Sequence, residues 1–204
     1  MLKNREEAGR QIANLLDKYT NKNPLILACT RDSVETAGYV AGKLNAELSI
    51  LVATRLSYPG QDNYFFGALC EGDKLYVDGA RHLLTDSLIR KIVDKEKKRI
   101  DESIHLYRNG RGLPLMEGRT VILLNDMIIH GFEFVPAIRL CRERKAAKIV
   151  VAAAVGNIVF DTHVAEADEI SIAHQHTDLK DISEIYETYG PLTNREIRTI
   201  LKCE

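Results

Sequence analysis

The stretch Val121-Ile122-Leu123-Leu124-Asn125-Asp126-Met127-Ile128-Ile129-His130-Gly131-Phe132-Glu133-Phe134 decides the fold. Its first four residues are apolar and follow the turn-prone Glu117-Gly118-Arg119. A short continuous apolar run bounded by a turn fits a strand buried on both faces. A polar loop over residues 125–133 then opens a helix predicted to reach about Arg144, with Phe134, Ile138 and Cys141 on one side. The same unit recurs outward from this stretch. Residues 25–29 and 48–52 read as buried strands with a helix over 34–44 between them, and residues 149–154 and 169–172 read as two more strands. A helix is predicted from Glu6 to Tyr19, with Ala8, Ile12, Leu15, Leu16 and Tyr19 on one face. Continuous apolar strands alternating with helices predict an α/β fold with a mostly parallel central sheet flanked by helices.

Residues 57–114 break that rhythm. Phe65-Phe66-Gly67-Ala68-Leu69-Cys70, the turn Glu71-Gly72-Asp73 and Lys74-Leu75-Tyr76-Val77-Asp78 predict a β-hairpin. A long helix follows over about 85–107, with Ile89, Val93, Ile100, Ile104 and Tyr107 in one stripe. Lys91, Lys95, Lys97, Lys98 and Arg99 lie mostly off the stripe and read as its solvated face. The expectation is a single domain: a core of about residues 20–56 and 115–175, the hairpin and helix inserted at 57–114, and a C-terminal segment at 176–204.

Composition narrows the function classes. The chain has 204 residues, 45% hydrophobic and 28% charged, enough to bury a core without disulfide or metal staples. Its 28 Lys and Arg balance 29 Asp and Glu, which argues against nucleic-acid binding by a broad basic face. No apolar run approaches the length of a membrane span, and Met1-Leu2-Lys3-Asn4-Arg5-Glu6-Glu7 lacks the apolar centre of a signal peptide. Cys29, Cys70, Cys141 and Cys203 are widely spaced and form no CxxC pair, as expected of inert thiols in a cytoplasmic protein.

In an open parallel sheet, ligands bind at the carboxyl ends of the strands. The loops there are Thr30-Arg31-Asp32-Ser33, Ala53-Thr54-Arg55-Leu56-Ser57-Tyr58-Pro59-Gly60, and residues 125–133, whose following helix offers backbone N–H groups to an anion. Simpler roles exist for each candidate. Asp32 can cap the helix after it, Glu133 can cap or favour the next helix start, Asp126 can be a turn residue and His130 a plain loop histidine. His163, His174 and His176 are too few and too poorly spaced for a zinc site, and Cys29 shows no base that would make it a nucleophile.

The third loop, a hydrophobic strand followed by an acidic position and a glycine loop into a helix, resembles the diphosphate-sugar signature of type I phosphoribosyltransferases. Asn4-Arg5-Glu6-Glu7-Ala8-Gly9-Arg10-Gln11-Ile12-Ala13, Leu56 with Pro59-Gly60, Gly67-Ala68, Tyr107-Arg108-Asn109-Gly110-Arg111, Ile185-Tyr186-Glu187-Thr188-Tyr189 and residues 193–201 are similar to a bacterial group of that family. The resemblance implies transfer of ribose 5-phosphate from phosphoribosyl diphosphate to an unknown acceptor, with Mg²⁺ bridging the departing pyrophosphate, in a protein that works as a homodimer. It implies that Asp126 and the Asn125 position hold the ribose, that His130, Gly131 and Glu133 stand where the 5′-phosphate is cradled, and that Arg31, Asp32, Ser33 and Arg55 face the pyrophosphate. Arg108 and Arg111 would add anion contacts.

The departures are specific. The family pattern has two acids, then Gly, an apolar and a small residue, then Thr-Gly-small-Thr. Here Asn125 replaces the first acid, Met127 the glycine, and His130-Gly131-Phe132-Glu133 the cradle. Arg31-Asp32-Ser33 stands where Arg-Gly-Gly is common, and Thr54-Arg55 where Arg-Lys is common. At about 5 Å and an effective dielectric of about 20, two unit charges repel by roughly 3 kcal/mol, about a hundredfold in affinity. Two readings follow: a phosphoribosyltransferase acting on a phosphorylated small molecule, and a non-catalytic relative that binds another small ligand or a protein partner.

Overall fold

The computed structural model describes residues 1–79, 83–157, 161–177 and 185–203. In chain order the elements are α1 (Arg5–Leu15), β1 (Leu25–Ala28), α2 (Val34–Leu44), β2 (Glu47–Ile50), β3 (Ala53–Tyr58), β4 (Gln61–Cys70), β5 (Lys74–Val77), α3 (Asp86–Arg108), β6 (Thr120–Ile128), α4 (Phe134–Glu143), β7 (Lys148–Asn157), α5 (Asp161–Val164), β8 (Glu169–His176) and α6 (Asn194–Ile200). Among the described residues the apolar runs form a five-stranded sheet in the order β2-β1-β6-β7-β8. Every neighbouring pair is parallel, with Leu25 opposite both Glu47 and Val121, Val121 opposite Ile149, and Val151 opposite Ile170. Helices cover both faces, which is why these strands are apolar at consecutive positions. On one face Ile12 of α1 and Val40 of α2 pack on Ile26, Ile122 and Val150. On the other, Phe134, Ile138 and Cys141 of α4 pack on Leu27, Leu123 and Val151. Among the described residues no helix is long and apolar enough to cross a membrane.

A second, antiparallel sheet orders its strands β3-β4-β5, and α3 lies on it through Ile89, Val93 and Ile100 against Leu56 and Phe66. Residues 53–58, expected to be loop, are a strand of this sheet, paired from Ala53 opposite Cys70 to Tyr58 opposite Gln61. An edge strand covered on one side buries Leu56 and little else, so it lacks a continuous apolar run. Gly67 sits where β4 and β5 nearly touch: a Cβ there would lie 2.2 Å from the Tyr76 carbonyl oxygen. Gly67→Ala must push the two backbones apart, so it is expected to cost about 1–3 kcal/mol in urea unfolding. An unchanged midpoint would show that the sheet yields freely at this point.

Two further expectations need correction. The first helix ends at Leu15, and residues 17–19 tighten into a 3₁₀ turn that brings the Tyr19 hydroxyl 2.7 Å from Glu169 of β8. Strand β6 runs four residues past Leu124, because β7 extends alongside it and pairs Asn125 with Ala153 and Ile128 with Gly156. Asn125 and Asp126 are therefore strand residues, held by a ladder on a neighbouring strand. Strand β1 leads outward to β2, and the chain returns to β6 on β1's other side. A crevice opens at such a switch point, outside the carboxyl ends of the two strands.

Candidate functional site

The crevice is a cleft of about 420 Å³, lined by Cys29, Thr30 and Asp32 after β1, Thr54 and Arg55 of β3, Asn125, Asp126, Met127, Ile129, His130 and Glu133 around the end of β6, and Tyr189. Asn125 stitches two of these stretches together. Its Oδ1 accepts from the Thr30 hydroxyl at 3.0 Å, and its Nδ2 donates to Glu133 Oε1 at 3.4 Å.

Both loops spend backbone donors on themselves. In the first, Thr30 N–H donates to Ser33 Oγ and Ser33 N–H to Thr30 Oγ1, each at 3.3 Å, while Ser33 Oγ donates to the Thr30 carbonyl at 2.9 Å. Ser33, buried, stands at the N-cap position of α2, and Asp32 lies outside the helix with its side chain lining the cleft. In the third loop Gly131 takes a left-handed φ of +69°, a turn that a Cβ would strain. The chain then doubles back so that Phe134 N–H donates to the Gly131 carbonyl at 3.0 Å and Val135 N–H to that of Phe132 at 3.3 Å. Glu133 occupies the N-cap position of α4 but makes no capping bond; its side chain turns inward and is 9% exposed. Glu133 Oε2 has no hydrogen-bond partner.

Asp126 is turned down rather than out. It is 2% exposed, and its Oδ2 accepts from Arg5 Nε at 3.4 Å and from the Tyr189 hydroxyl at 3.1 Å. Arg5 also reaches Glu35 at 3.3 Å and lies 3.9 Å over the Tyr189 ring. Burial pushes the Asp126 carboxyl up to about 6, against the opposing pull of the Thr36 hydroxyl, Arg5 and Tyr189. Burial and nearby Arg55 hold His130 below the ordinary histidine value, with Glu133 pulling the other way. Arg55 places its guanidinium 4.3 Å over the Phe65 ring.

Asp32, Arg55, Asn125, Asp126, His130 and Glu133 are thus brought together, and the other expected site residues are not cleft-lining. Ser33 and Gly131 shape their loops. Arg31 donates to the Leu192 carbonyl, and Arg111 donates to the Arg108 carbonyl at 3.2 Å and to Cys203 at 3.6 Å. Arg108, expected to meet an anion, is buried in an ion pair with Glu71. Cys29 does line the cleft, but burial drives its thiol well above the ordinary range, leaving it a poor nucleophile. His174 bonds Gln11 at 2.6 Å, and among the described residues no three His, Cys, Asp or Glu side chains could hold a metal ion. Arg5 and Tyr189 belong to the site without having been expected there. The signal was a guanidinium in the first turn of a helix, where the dipole disfavours a cation.

No protein-family model matches the chain. It is 30% identical over 162 residues to a Mycobacterium tuberculosis protein provisionally named a phosphoribosyl transferase. That match takes in 74% of this chain and 35% of the relative, so the chain spans about a third of the relative's length. Among solved structures it is similar to TT1426 from Thermus thermophilus, with a TM-score of 0.82, 22% identity and coverage of 98% of this chain and 97% of that one. A hypoxanthine phosphoribosyltransferase from Staphylococcus aureus superposes with a TM-score of 0.51 and 12% identity over 94% of this chain and 90% of that one. The fold is that of a type I phosphoribosyltransferase: a mostly parallel sheet between helices, with a crevice at the switch point.

Proposed function

We propose that the chain is a member of the phosphoribosyltransferase family in which the switch-point cleft is kept but no longer prefers phosphoribosyl diphosphate, so that it binds another small ligand. The family part of this reading is supported by the identity to the mycobacterial relative and by the fold. The observation that carries the rest is the state of the loop before α4. There the Phe134 and Val135 amides donate to their own turn, and the buried Glu133 carboxylate points inward beside Asn125. A helix start binds a phosphate through free amides and its positive dipole end. With those amides engaged and a carboxylate alongside, a phosphate dianion meets repulsion of roughly 3 kcal/mol per charge pair at about 5 Å. Asp32 adds a second carboxylate to the same cleft.

Isothermal titration with phosphoribosyl diphosphate and Mg²⁺ tests this. The natural chain is expected to give no saturable heat up to about 1 mM, a limit of about 4 kcal/mol of binding free energy. The double variant Asp32→Gly, Glu133→Thr is expected to gain about tenfold or more. Micromolar binding by the natural chain would overturn the proposal. The catalytic reading is favoured by the mycobacterial relative's name. On that reading Asp126 holds the ribose and Arg55 the pyrophosphate, and pyrophosphate is released when an acceptor is supplied.

A further inference from the structure

We propose that two copies of this chain pair along β8, at the outer edge of the central sheet and away from the cleft. The pairing is two-fold: β8 runs antiparallel to the partner's β8, and the outer side of α1 meets the partner's α1.

The two ends of the central sheet are finished differently. Strand β2 has four residues, and Glu47 at its start is held by Arg119 at 2.6 Å. Strand β8 has eight, and among the described residues no strand lies beyond it. The N–H and C=O groups along such an edge are a template for another strand, which proteins blunt by keeping edge strands short or charged. Strand β8 is neither, carrying Ile170, Ile172 and Ala173. None of its residues is buried, whereas all four of β1 and eight of the ten in β7 are. Ile170 is exposed, as is Leu15 at the end of α1.

A second copy fits this edge. Helix α1 packs on both β7 and β8 and runs against the strand direction. Lys18, just past α1, bonds Glu169 at the start of β8 at 2.8 Å, and Gln11 meets His174 near the end of β8 at 2.6 Å. A two-fold axis beside β8 therefore sets the Lys18 end of one rim against the Glu7 end of the other. Lys18 and Lys148 both bond the single Glu169 carboxylate, so that end carries an excess cation. At the other end the Glu7 carboxylate accepts only from the Lys3 backbone N–H among the described residues. Each copy thus offers a cation where the other offers an anion, and the match occurs twice. Spacing agrees with charge. Paired strands lie about 4.8 Å apart. With α1 over β7 and β8, the two α1 helices stand about 10 Å apart across the axis, the separation of packed helices. An unrelated strand could take the same backbone bonds but would bring no matching Lys18 and Glu7.

Sedimentation equilibrium of the whole chain over about 1–200 μM is expected to show a dimer that is half dissociated near about 10 μM, as befits an interface of modest size. Glu7→Lys sets a lysine against the partner's lysine, and Ile170→Lys places a charge on the edge. Each is expected to weaken the dimer at least about tenfold, with the unfolding midpoint of the dilute chain unchanged; should Ile170→Lys melt early, Glu7→Lys decides. Contact is read directly by Glu7→Cys with Lys18→Cys. Those positions are about 16 Å apart within one chain, too far for a short bis-maleimide, and the four natural cysteines are buried. The double variant is expected to cross-link into covalent dimers, and neither single variant is. A chain that stays monomeric throughout that range, a dimer untouched by the charge variants, or a double cysteine variant that fails to cross-link would each overturn the proposal.

Discussion

Glu71→Ala is expected to lower folding stability by about 3–5 kcal/mol, the usual loss when one partner of a buried ion pair is removed. Glu71 and Arg108 are 9% and 5% exposed at their side chains, and they join the β4–β5 turn to the last turn of α3. Glu71 Oε1 also accepts from Val52 N–H at 2.9 Å, so the loss reaches the junction between the two sheets. In the variant Arg108 keeps its charge without the one ion-pair partner it has among the described residues, and its Nε and Nη1 are already without hydrogen-bond partners. Urea unfolding followed by circular dichroism measures this directly. Glu71→Leu with Arg108→Leu is expected to recover only the part of the loss due to the orphaned charge, because an apolar pair carries no desolvation penalty but still leaves the Val52 N–H without its acceptor. A double variant as unstable as Glu71→Ala would assign the cost to the lost Val52 bond and to packing rather than to the orphaned charge.

The second large effect is a pH dependence carried by Asp126. Its carboxyl is pushed to about 6 in the folded chain, chiefly by burial, from an ordinary value of 3.8. Between those values the folded chain keeps a proton that the unfolded chain has released, so stability falls as pH rises. The contribution is fully present below the ordinary value and gone above the folded one. At 1.36 kcal/mol per unit, the full swing is about 3 kcal/mol. Asp126→Asn cannot titrate. The stability of the natural chain relative to this variant is therefore expected to drop by about 3 kcal/mol between about pH 4 and about pH 7. Parallel stability curves for the two proteins would show that Asp126 is ionised throughout.

The central sheet was legible because strands covered on both faces must be apolar at successive positions, as Leu25–Ala28 is. Helix α3 was legible because Ile89, Val93 and Ile100 repeat at helical spacing under a charged exterior. Strand β3 was hidden by its one-sided cover, and the end of β6 by two polar residues whose strand geometry comes from β7. The cleft residues contributed by the loops after β1 and β6 could be placed from the topology alone. Arg5 and Tyr189 could not, since they meet Asp126 across 121 and 63 positions. Arg108 misled for a related reason. A cation in a helix's last turn suits the dipole wherever it points, and its true partner, Glu71, lies 37 residues earlier.

The floor of the cleft has a consequence for how the protein comes into being. Leu2 donates its N–H to the Ile185 carbonyl at 2.7 Å, and Glu187 returns a bond to the Leu2 carbonyl at 2.9 Å. Tyr189 and Arg5 then close on Asp126 between them. On a ribosome delivering about 5–20 residues per second, the last central strand, β8, which ends at His176, is delivered roughly one to three seconds before residue 189. Until that residue arrives, the Asp126 carboxyl stands without one of its two partners, so a nascent chain has its scaffold before it has a binding pocket.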